Sequence, residues 1–402
     1  MTRRPGILVI ASTGALLAAC NNATPPAGNA PDSAAAAAPA AEPGAPGVAP
    51  RFEVDPFWPK PLPNHWILGS TIGVSVDSRD HVWIIHRQQS LNARTEASAG
   101  QNTPTGTCCM PAPNVIELDA AGNVAGSWGG PGAGYDWPTS NHGITIDHMD
   151  NIWIGGNDVK DAHVLKFSRS GQFLLQLGKP EQNQGSLDPV NFWRVAKISI
   201  DAEANEAYVA DGYGNKRVVV LDATTGERKR FWGAYGRPPD DTDLGVYDPA
   251  APPAQQFRNP VHCAEPSRDG FVYVCDRVND RIQVFRKDGT FVSELRVAPE
   301  TRGAGSVWDI AFSHDPGQAY IYLADGLNER VYIIHRESMQ VLTSFGDGGR
   351  QPGQFFGVHS IAVDSQGNIY TTETYEGKRI QKFVYRGLAP IPGESQGALW
   401  PQ

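Results

Sequence analysis

The sequence predicts an all-β fold, a six-bladed β-propeller, and three observations support this prediction. A two-strand phrase, in which an alternating apolar strand, a polar turn and an aromatic-rich strand follow one another, occurs six times. One such unit cannot bury its apolar face alone, so blade-sized repeats pack against their neighbours around a central channel. Every second copy also carries a histidine at one fixed position, and in a closed ring of blades these equivalent positions would converge on the axis. The copies occupy residues 73–87, 143–156, 196–213, 262–277, 307–326 and 359–375.

Each copy continues into further strands. Third strands are apparent at 217–222 and 281–285, and a Lys-Asp-Gly turn at 287–289 follows the second of these. The interval between copies is uneven, which fits blades that carry insertions of different lengths. The last copy shows no fourth strand. We expect the segment 52–58 to supply it, because this pairing would close the ring and cover an exposed strand edge.

The start of the chain looks like a bacterial lipoprotein signal peptide over residues 1–20. Two arginines precede a short apolar run, and Leu-Ala-Ala-Cys at 17–20 forms a lipobox, which makes Cys20 the expected lipidation site. The apolar run is too short to span a bilayer, so a lipid anchor is the only membrane attachment expected. The protein is therefore expected in the bacterial cell envelope, lipid-anchored on the periplasmic side of the outer membrane or at the cell surface.

The rest of the chain divides into three parts. Residues 21–50 consist almost wholly of Ala, Pro, Gly and Asn, a composition that cannot bury a core and predicts a flexible linker. Residues 51–390 are assigned to the propeller and 391–402 to a C-terminal tail. The formal net charge is −9, and the sequence has no cluster of Lys and Arg residues of the kind that nucleic-acid-binding proteins carry. We expect a monomer that acts on a small-molecule or peptide substrate.

Export predicts an oxidising compartment for the four cysteines that follow Cys20. Cys263 and Cys275 are symmetric about the turn at 267–270, so an antiparallel hairpin would bring them face to face, and a cross-strand disulfide is predicted. Cys108 and Cys109 are adjacent in a long insertion, 88–113. They could form a vicinal disulfide or stay reduced.

The histidines of the repeat predict a metal site. They fall in alternate copies, and alternate blades of a six-bladed ring lie a third of a turn apart, so equivalent positions converge on the axis. Three neutral imidazoles suit zinc, and a three-ligand set leaves one coordination position open, as in catalytic sites. The histidines are His142, His262 and His359, and the other copies carry Ile72, Ala196 and Trp308 at this position.

Residues that end the second strands are expected on the same face as the metal. In an antiparallel blade, the start of the first strand and the end of the second lie at one edge. Two arginines and a tyrosine there could bind an anionic substrate and move a proton. The segments that meet this condition are His86-Arg87, Asp211-Gly212-Tyr213, Asp276-Arg277 and Tyr375.

The repeat resembles the NHL family of six-bladed propellers, through the G-x-x-x-D and G-N-I-Y/W phrases. The site residues resemble a narrower family, the peptidyl-α-hydroxyglycine α-amidating lyases. The motifs that carry this resemblance are the three histidine phrases, His86-Arg87, D-G-Y-x-N-x-R from Asp211 and D-R-x-N-x-R-I-Q-x-F from Asp276.

This resemblance implies a function and a role for each residue. The family cleaves an N-acyl hemiaminal of the α-hydroxyglycine type to an amide and glyoxylate, with zinc held by the three histidines. Tyr213 matches the proposed base, and Arg87 matches the arginine that orients the substrate and supports that tyrosine. Arg277 matches a further active-site arginine that faces the substrate carboxylate. The expected enzyme is a zinc-dependent carbon–nitrogen lyase.

Two positions depart from the family pattern. Gly214 stands where the family has a disulfide cysteine after D-G-Y, so one family disulfide is absent. Ser360 stands where the family has an aspartate that helps to bind structural calcium, which puts a calcium ion in doubt.

Two other functions remain open. A non-enzymatic NHL-repeat propeller, tethered to the cell envelope as a binding or scaffold module, shares the fold. A calcium-dependent lactonase on a six-bladed propeller would need oxygen ligands at the axis, where the sequence places imidazoles.

Overall fold

A computed structural model describes residues 41–401. The described residues form six four-stranded antiparallel sheets, which confirms the predicted all-β propeller. The signal peptide, Cys20 and residues 21–40 of the expected linker lie outside the described residues.

The blades follow one another along the chain, and within each the strands are given from the axis outwards. Blade 1 contains Ser70–Val76, Val82–Arg87, Val115–Leu118 and Val124–Trp128, and blade 2 contains Asn141–Ile146, Ile152–Gly156, His163–Phe167 and Phe173–Gly178. Blade 3 contains Lys197–Asp201, Glu206–Asp211, Arg217–Asp222 and Arg228–Trp232, and blade 4 contains Val261–Pro266, Phe271–Asp276, Arg281–Arg286 and Phe291–Arg296. Blade 5 contains Asp309–Phe312, Tyr320–Asp325, Arg330–His335 and Gln340–Phe345, and blade 6 contains Val358–Val363, Ile369–Glu373, Arg379–Pro390 and Val48–Asp55.

The ring closes as the sequence predicts. The inner strands contact one another in order, and the inner strand of blade 6 contacts that of blade 1. The outermost strand of blade 6 comes from the N-terminal side, since Val48–Asp55 pairs antiparallel with Arg379–Pro390. This strand begins at Val48, inside the segment assigned to the linker, because Ala49 is already buried in the blade and paired with Ala389.

Aromatic packing joins the closing strand to the neighbouring blade. Phe52 is buried, and its ring meets that of Tyr322 of blade 5 edge to face, with 5.3 Å between the ring centroids. Phe345, also from blade 5, lies 5.2 Å from Phe52 on the same measure. Each such aromatic pair contributes about 0.5–1.5 kcal/mol beyond its buried area. The closing strand thus stabilises the contact between the last two blades.

A recurring aspartate explains the turn between the first two strands. Asp147 accepts hydrogen bonds from the backbone amides of Met149 and Asn151, and its second oxygen accepts one from the Trp153 indole at 3.1 Å. A short side chain that bonds to the backbone two residues on stabilises a tight turn. The equivalent pairs in blades 1 and 6 are Asp77 with Trp83 and Asp364 with Tyr370.

The remaining elements lie on one face of the ring or at its edge. Two short strands, Trp66–Ile67 and Met110–Pro111, pair in parallel, and 3₁₀ turns cover Gln88–Ser90, Ser98–Gly100, Ala234–Gly236 and Arg277–Asn279. The tail at 391–401 packs on blade 6, where the Leu399 carbonyl accepts a hydrogen bond from the Val54 amide at 2.9 Å. Within residues 41–401, we find no helix with the length and apolarity that a bilayer span requires.

The cysteines form two disulfides among the described residues. Cys263 lies directly opposite Cys275 in the first hairpin of blade 4, and the two sulfur atoms are bonded, as the symmetry of the hairpin predicts. Cys108 and Cys109 form a vicinal disulfide in the insertion between the second and third strands of blade 1.

Candidate metal centre

The three repeat histidines meet at the axis of the propeller, at the start of the inner strands. In blades 4 and 6, His262 and His359 are the extra residues of β-bulges, and in blade 2 the bulge falls immediately after His142. A bulge interrupts the alternation of a strand and re-aims the side chain. All three rings are buried, and their ligand nitrogens lie within 4.8 Å of one another. This group could hold one metal ion.

Backbone carbonyls fix the orientation of the rings. Nδ1 of His142 donates to the Ala196 carbonyl at 2.6 Å, and Nδ1 of His262 donates to the Trp308 carbonyl. A carbonyl oxygen only accepts, so the proton lies on Nδ1 and Nε2 carries the lone pair. For His359 the corresponding carbonyl is that of Ile72, although the geometry falls short of a full hydrogen bond and its Nδ1 has no other partner among the described residues.

The electrostatic surroundings keep the three imidazoles neutral. Burial, followed by the charge of Arg87, holds the pKa of His142 well below its usual value. The pKa of His262 is also lowered, mainly by burial and next by the charge of Arg277. The pKa of His359 is lowered mainly by burial and next by His142. Neutral imidazole nitrogens are the donors that zinc and other first-row metals take up. The donor set therefore fits such an ion.

Tyr213 lies beside two of the histidines. Its hydroxyl is 3.2 Å from Nε2 of His142 and 3.0 Å from Nε2 of His262. Arg277 donates to the same hydroxyl at 3.0 Å, and its guanidinium stacks 4.5 Å from the ring centroid of Trp308. The structure thus brings together five residues that the sequence analysis singled out: three histidines, Tyr213 and Arg277.

Arg87 lies near Tyr213 but is not hydrogen-bonded to it. It donates to the side-chain oxygen of Asn157 at 2.7 Å and to the Asn141 carbonyl at 3.1 Å, and none of its hydrogen bonds reaches Tyr213. The arginine that contacts Tyr213 directly is Arg277, which the resemblance assigned to the substrate carboxylate. Arg87 is nonetheless near enough to Tyr213 for their charges to interact.

Two residues of the site were missed by the sequence analysis. The guanidinium of Arg194 lies 5.9 Å from the ring centroid of Tyr213 and donates to the Asn157 carbonyl at 2.7 Å. The φ angle of Arg194 is +62°, a conformation that side chains other than glycine rarely adopt and that concentrates at functional sites. Asn157 holds in copy two the position that Arg87 holds in copy one, so the repeat alone could have indicated it. Arg194 stands two residues before Ala196, and the histidine-bearing copies have Ser140, Pro260 and Gly357 at the matching position, so the repeat pattern does not indicate an arginine there.

Other residues at the ends of the second strands turn away from the axis. Asp211 bonds to Arg217 at 2.8 Å and Asp276 to Arg281 at 2.7 Å, each pair buried within its own blade. His86 is buried too, where Nδ1 accepts from the Gly69 amide and Nε2 donates to the Pro113 carbonyl. These side chains hold the loops of the site without facing the candidate metal position.

The inner strands leave no place for a calcium ion next to Ser360. The hydroxyl of Ser360 donates to the carboxylate of Asp309 at 2.7 Å, and the other oxygen of that carboxylate binds the ammonium of Lys197 at 2.8 Å. An ammonium thus occupies the point where oxygen ligands converge. The residues do not fit structural calcium.

Comparisons with known proteins support the fold and the repeat. No protein-family model matches the chain. The chain is 27% identical over 242 residues to peptidyl-glycine alpha-amidating monooxygenase B of Xenopus laevis, a match that covers 58% of this chain and 25% of that protein. The chain thus spans about a quarter of the length of this relative.

Two further similarities extend over most of the chain. NHL repeat-containing protein 3 of Mus musculus is 26% identical over 352 residues, which cover 83% of this chain and 84% of that protein. A solved structure of virginiamycin B lyase from Staphylococcus aureus matches with a TM-score of 0.44 and 13% identity, covering 84% of this chain and 88% of that one. The chain is a six-bladed β-propeller whose homologues include peptidyl-glycine alpha-amidating monooxygenases and NHL repeat-containing proteins.

Proposed function

We propose that the protein is a zinc-dependent lyase that cleaves an N-acyl hemiaminal of the α-hydroxyglycine type to an amide and glyoxylate. The observation that carries this proposal is the convergence of three buried, neutral imidazoles beside the hydroxyl of Tyr213. Three protein ligands leave room for a substrate oxygen, which is the arrangement of catalytic rather than structural zinc sites. The sequence similarity to peptidyl-glycine alpha-amidating monooxygenase B, over 58% of this chain, agrees with the resemblance of the site motifs to the α-amidating lyases.

The residues around the candidate metal position suit the steps of this reaction. Tyr213 would take the proton from the substrate hydroxyl, whose C–O bond becomes the C=O bond of glyoxylate. The C–N bond breaks with its electron pair going to nitrogen, which takes up a proton and leaves as the amide. A bound divalent ion would supply Lewis-acid stabilisation for the negative charge that develops on the hydroxyl oxygen.

Positive charge at the site suits the carboxylate of such a substrate. Arg277 is 7% exposed, and its Nε has no hydrogen-bond partner among the described residues, so it retains a donor for a ligand. Arg87 and Arg194 flank the same tyrosine. Guanidinium groups bind carboxylates through paired, charge-assisted hydrogen bonds. An anionic substrate would therefore be held with its hydroxyl towards Tyr213.

The experiment is an assay of glyoxylate release from N-benzoyl-α-hydroxyglycine by the zinc-loaded protein. We expect release by the wild type and none by His262→Ala. The matched control is His163→Ala, because His163 is equally buried but lies away from the axis and bonds to the Asp136 carbonyl. Zinc-loaded wild type that is inert towards a panel of such hemiaminals would contradict the proposed substrate class.

A second function, a non-enzymatic propeller that binds a partner, draws support from the NHL repeat-containing relative, whose similarity covers 83% of this chain. The metal content of the purified protein distinguishes the zinc lyase from the non-enzymatic binding propeller. A chain that carries no transition metal, even after reconstitution with zinc, would favour the binding module.

The site of action also forms part of the proposal. We infer that Cys20 carries the lipid that anchors the protein in the cell envelope, because the lipobox precedes it. Cys20→Ser should move the protein from the membrane fraction to the soluble fraction of cells. Wild-type protein that is already soluble would contradict the anchor.

A further inference from the structure

A second cluster of charged side chains lies on the axis, next to the histidines. Lys197 of blade 3 places its ammonium 2.7 Å from the carboxylate of Glu265 on blade 4 and 2.8 Å from that of Asp309 on blade 5. The side chains of Lys197, Glu265 and Asp309 are 13%, 17% and 2% exposed. One ammonium therefore joins the inner strands of three consecutive blades.

Hydroxyl groups complete the surroundings of the two carboxylates. Ser199 donates to Glu265 at 2.7 Å, and Ser360, which follows the ligand His359, donates to Asp309 at 2.7 Å. The backbone amide of Ile361 also donates to Asp309, at 3.1 Å. Through Asp309 the cluster reaches blade 6, so that four of the six inner strands depend on it.

Two carboxyl groups share one ammonium. Burial, opposed by the charge of Lys197, raises the pKa of Glu265 above its usual value, because a second buried negative charge beside Asp309 is costly. Burial alone would lower the pKa of Lys197, but the charges of Asp309 and Glu265 outweigh it and raise that pKa above its usual value. Without the ammonium, one oxygen of Glu265 and one oxygen of Asp309 would be left facing the same point, and carboxylate oxygens are ligands that calcium prefers.

We propose that Lys197 is a built-in cation that takes the place of a structural calcium ion at the axis, and that its removal opens a calcium site formed by the carboxylates of Glu265 and Asp309. The wild-type propeller is accordingly independent of calcium. In Lys197→Ala, Glu265 and Asp309 lose the cation that they share, and either a proton or a divalent cation with a preference for oxygen ligands takes its place.

The chain offers a matched control in Lys166. Its ammonium is also buried, and it binds the carboxylate of Asp147 at 3.1 Å and the Ala223 carbonyl at 2.7 Å. Here one ammonium faces a single carboxylate. Lys166→Ala removes a comparable buried ion pair without leaving two carboxylates together.

The experiment follows thermal unfolding during calcium titration, with zinc present throughout so that the histidine site stays in one state. The wild-type midpoint is expected to be unchanged by calcium. The midpoint of Lys197→Ala should start lower and then rise with the logarithm of calcium concentration, as for a ligand that binds only the folded state. Lys166→Ala should have a lower unfolding midpoint that calcium does not raise. Magnesium should raise the midpoint of Lys197→Ala less than calcium does.

Two results would overturn the proposal. Calorimetry that detects calcium binding to the wild type would show that the ammonium does not fill the site. Lys197→Ala that is as stable as the wild type and indifferent to calcium would show that the ammonium does not hold the carboxylates together. If Lys197→Ala fails to fold without calcium, refolding with and without calcium is measured instead, and recovery limited to the calcium sample is the expected result.

Discussion

The Nδ1 nitrogen of His142 donates a hydrogen bond of 2.6 Å to the carbonyl oxygen of Ala196. Ala196 holds, in the third copy of the repeat, the position that His142 holds in the second. Trp308 holds the equivalent position in the copy after that of His262, and its carbonyl accepts a hydrogen bond from Nδ1 of His262. The Ile72 carbonyl faces Nδ1 of His359 without completing a hydrogen bond. Two of the copies without a histidine thus orient the histidines of their neighbours. Such partners fix the tautomer of a ligand and direct its other nitrogen towards the metal.

Tyr213→Phe should abolish most of the lyase activity while the metal stays bound. The substitution removes the hydroxyl that lies 3.0 Å from His262 and leaves the ring in place. Loss of a group that transfers a proton lowers kcat by about 10²- to 10⁴-fold. The measurement is glyoxylate release together with zinc content, and the control is Tyr332→Phe, at a tyrosine on the third strand of blade 5, away from the axis. Undiminished kcat in Tyr213→Phe would remove the role assigned to the hydroxyl.

Arg194→Asn should weaken substrate binding more than turnover. Asparagine tolerates the left-handed backbone conformation at this position, so the change removes the charge and keeps the loop. Loss of one charge-assisted contact is expected to raise KM by about 10- to 100-fold. Steady-state kinetics on an anionic hemiaminal measure this effect. Equal losses in kcat and stability, with KM unchanged, would mean that Arg194 only shapes the loop.

Removal of the Cys263–Cys275 disulfide should destabilise the propeller. The bond closes a short loop beside His262, and such a link contributes about 3 kcal/mol. Denaturant unfolding of the double variant Cys263→Ala/Cys275→Ala measures the loss. Cys108→Ser/Cys109→Ser serves as the comparison, and because this pair lies in a surface insertion we expect little change. Equal effects of the two double variants would contradict this account.

His86 should make the fold less stable in acid. Burial lowers the pKa of His86 from 6.5 to about 4, so the unfolded chain binds a proton that the folded one excludes. Stability is therefore full above pH 6.5 and falls as the pH drops from 6.5 to 4, by about 3 kcal/mol in all. The check is denaturant unfolding of the wild type and of His86→Asn across this range. The difference in stability between them should shrink towards low pH, and a constant difference would rule out the effect.

The fold was predictable because its repeat is visible in residue order. Asp77, Asp147 and Asp364 mark the first hairpins of three blades. The segment 52–58, which overlaps the observed strand Val48–Asp55, was expected to complete blade 6. The histidines were predictable because a ring converts equal repeat positions into spatial neighbours. Arg194 was not predictable, because the other copies have unrelated residues at its position, such as Ser140, Pro260 and Gly357. The contact of Arg277, rather than Arg87, with Tyr213 depends on side-chain packing over Trp308, which sequence order does not specify.

The most direct test of the central claim is the metal content of purified protein after reconstitution with zinc, measured by inductively coupled plasma mass spectrometry. The account predicts about one zinc ion per chain in the wild type and in Tyr213→Phe, because three imidazoles suffice to hold the ion. His142→Ala, His262→Ala and His359→Ala should each lose most of the bound zinc. His163→Ala should keep as much zinc as the wild type. A wild type that binds no metal, or alanine variants of the three histidines that bind as much as the wild type, would contradict the central claim.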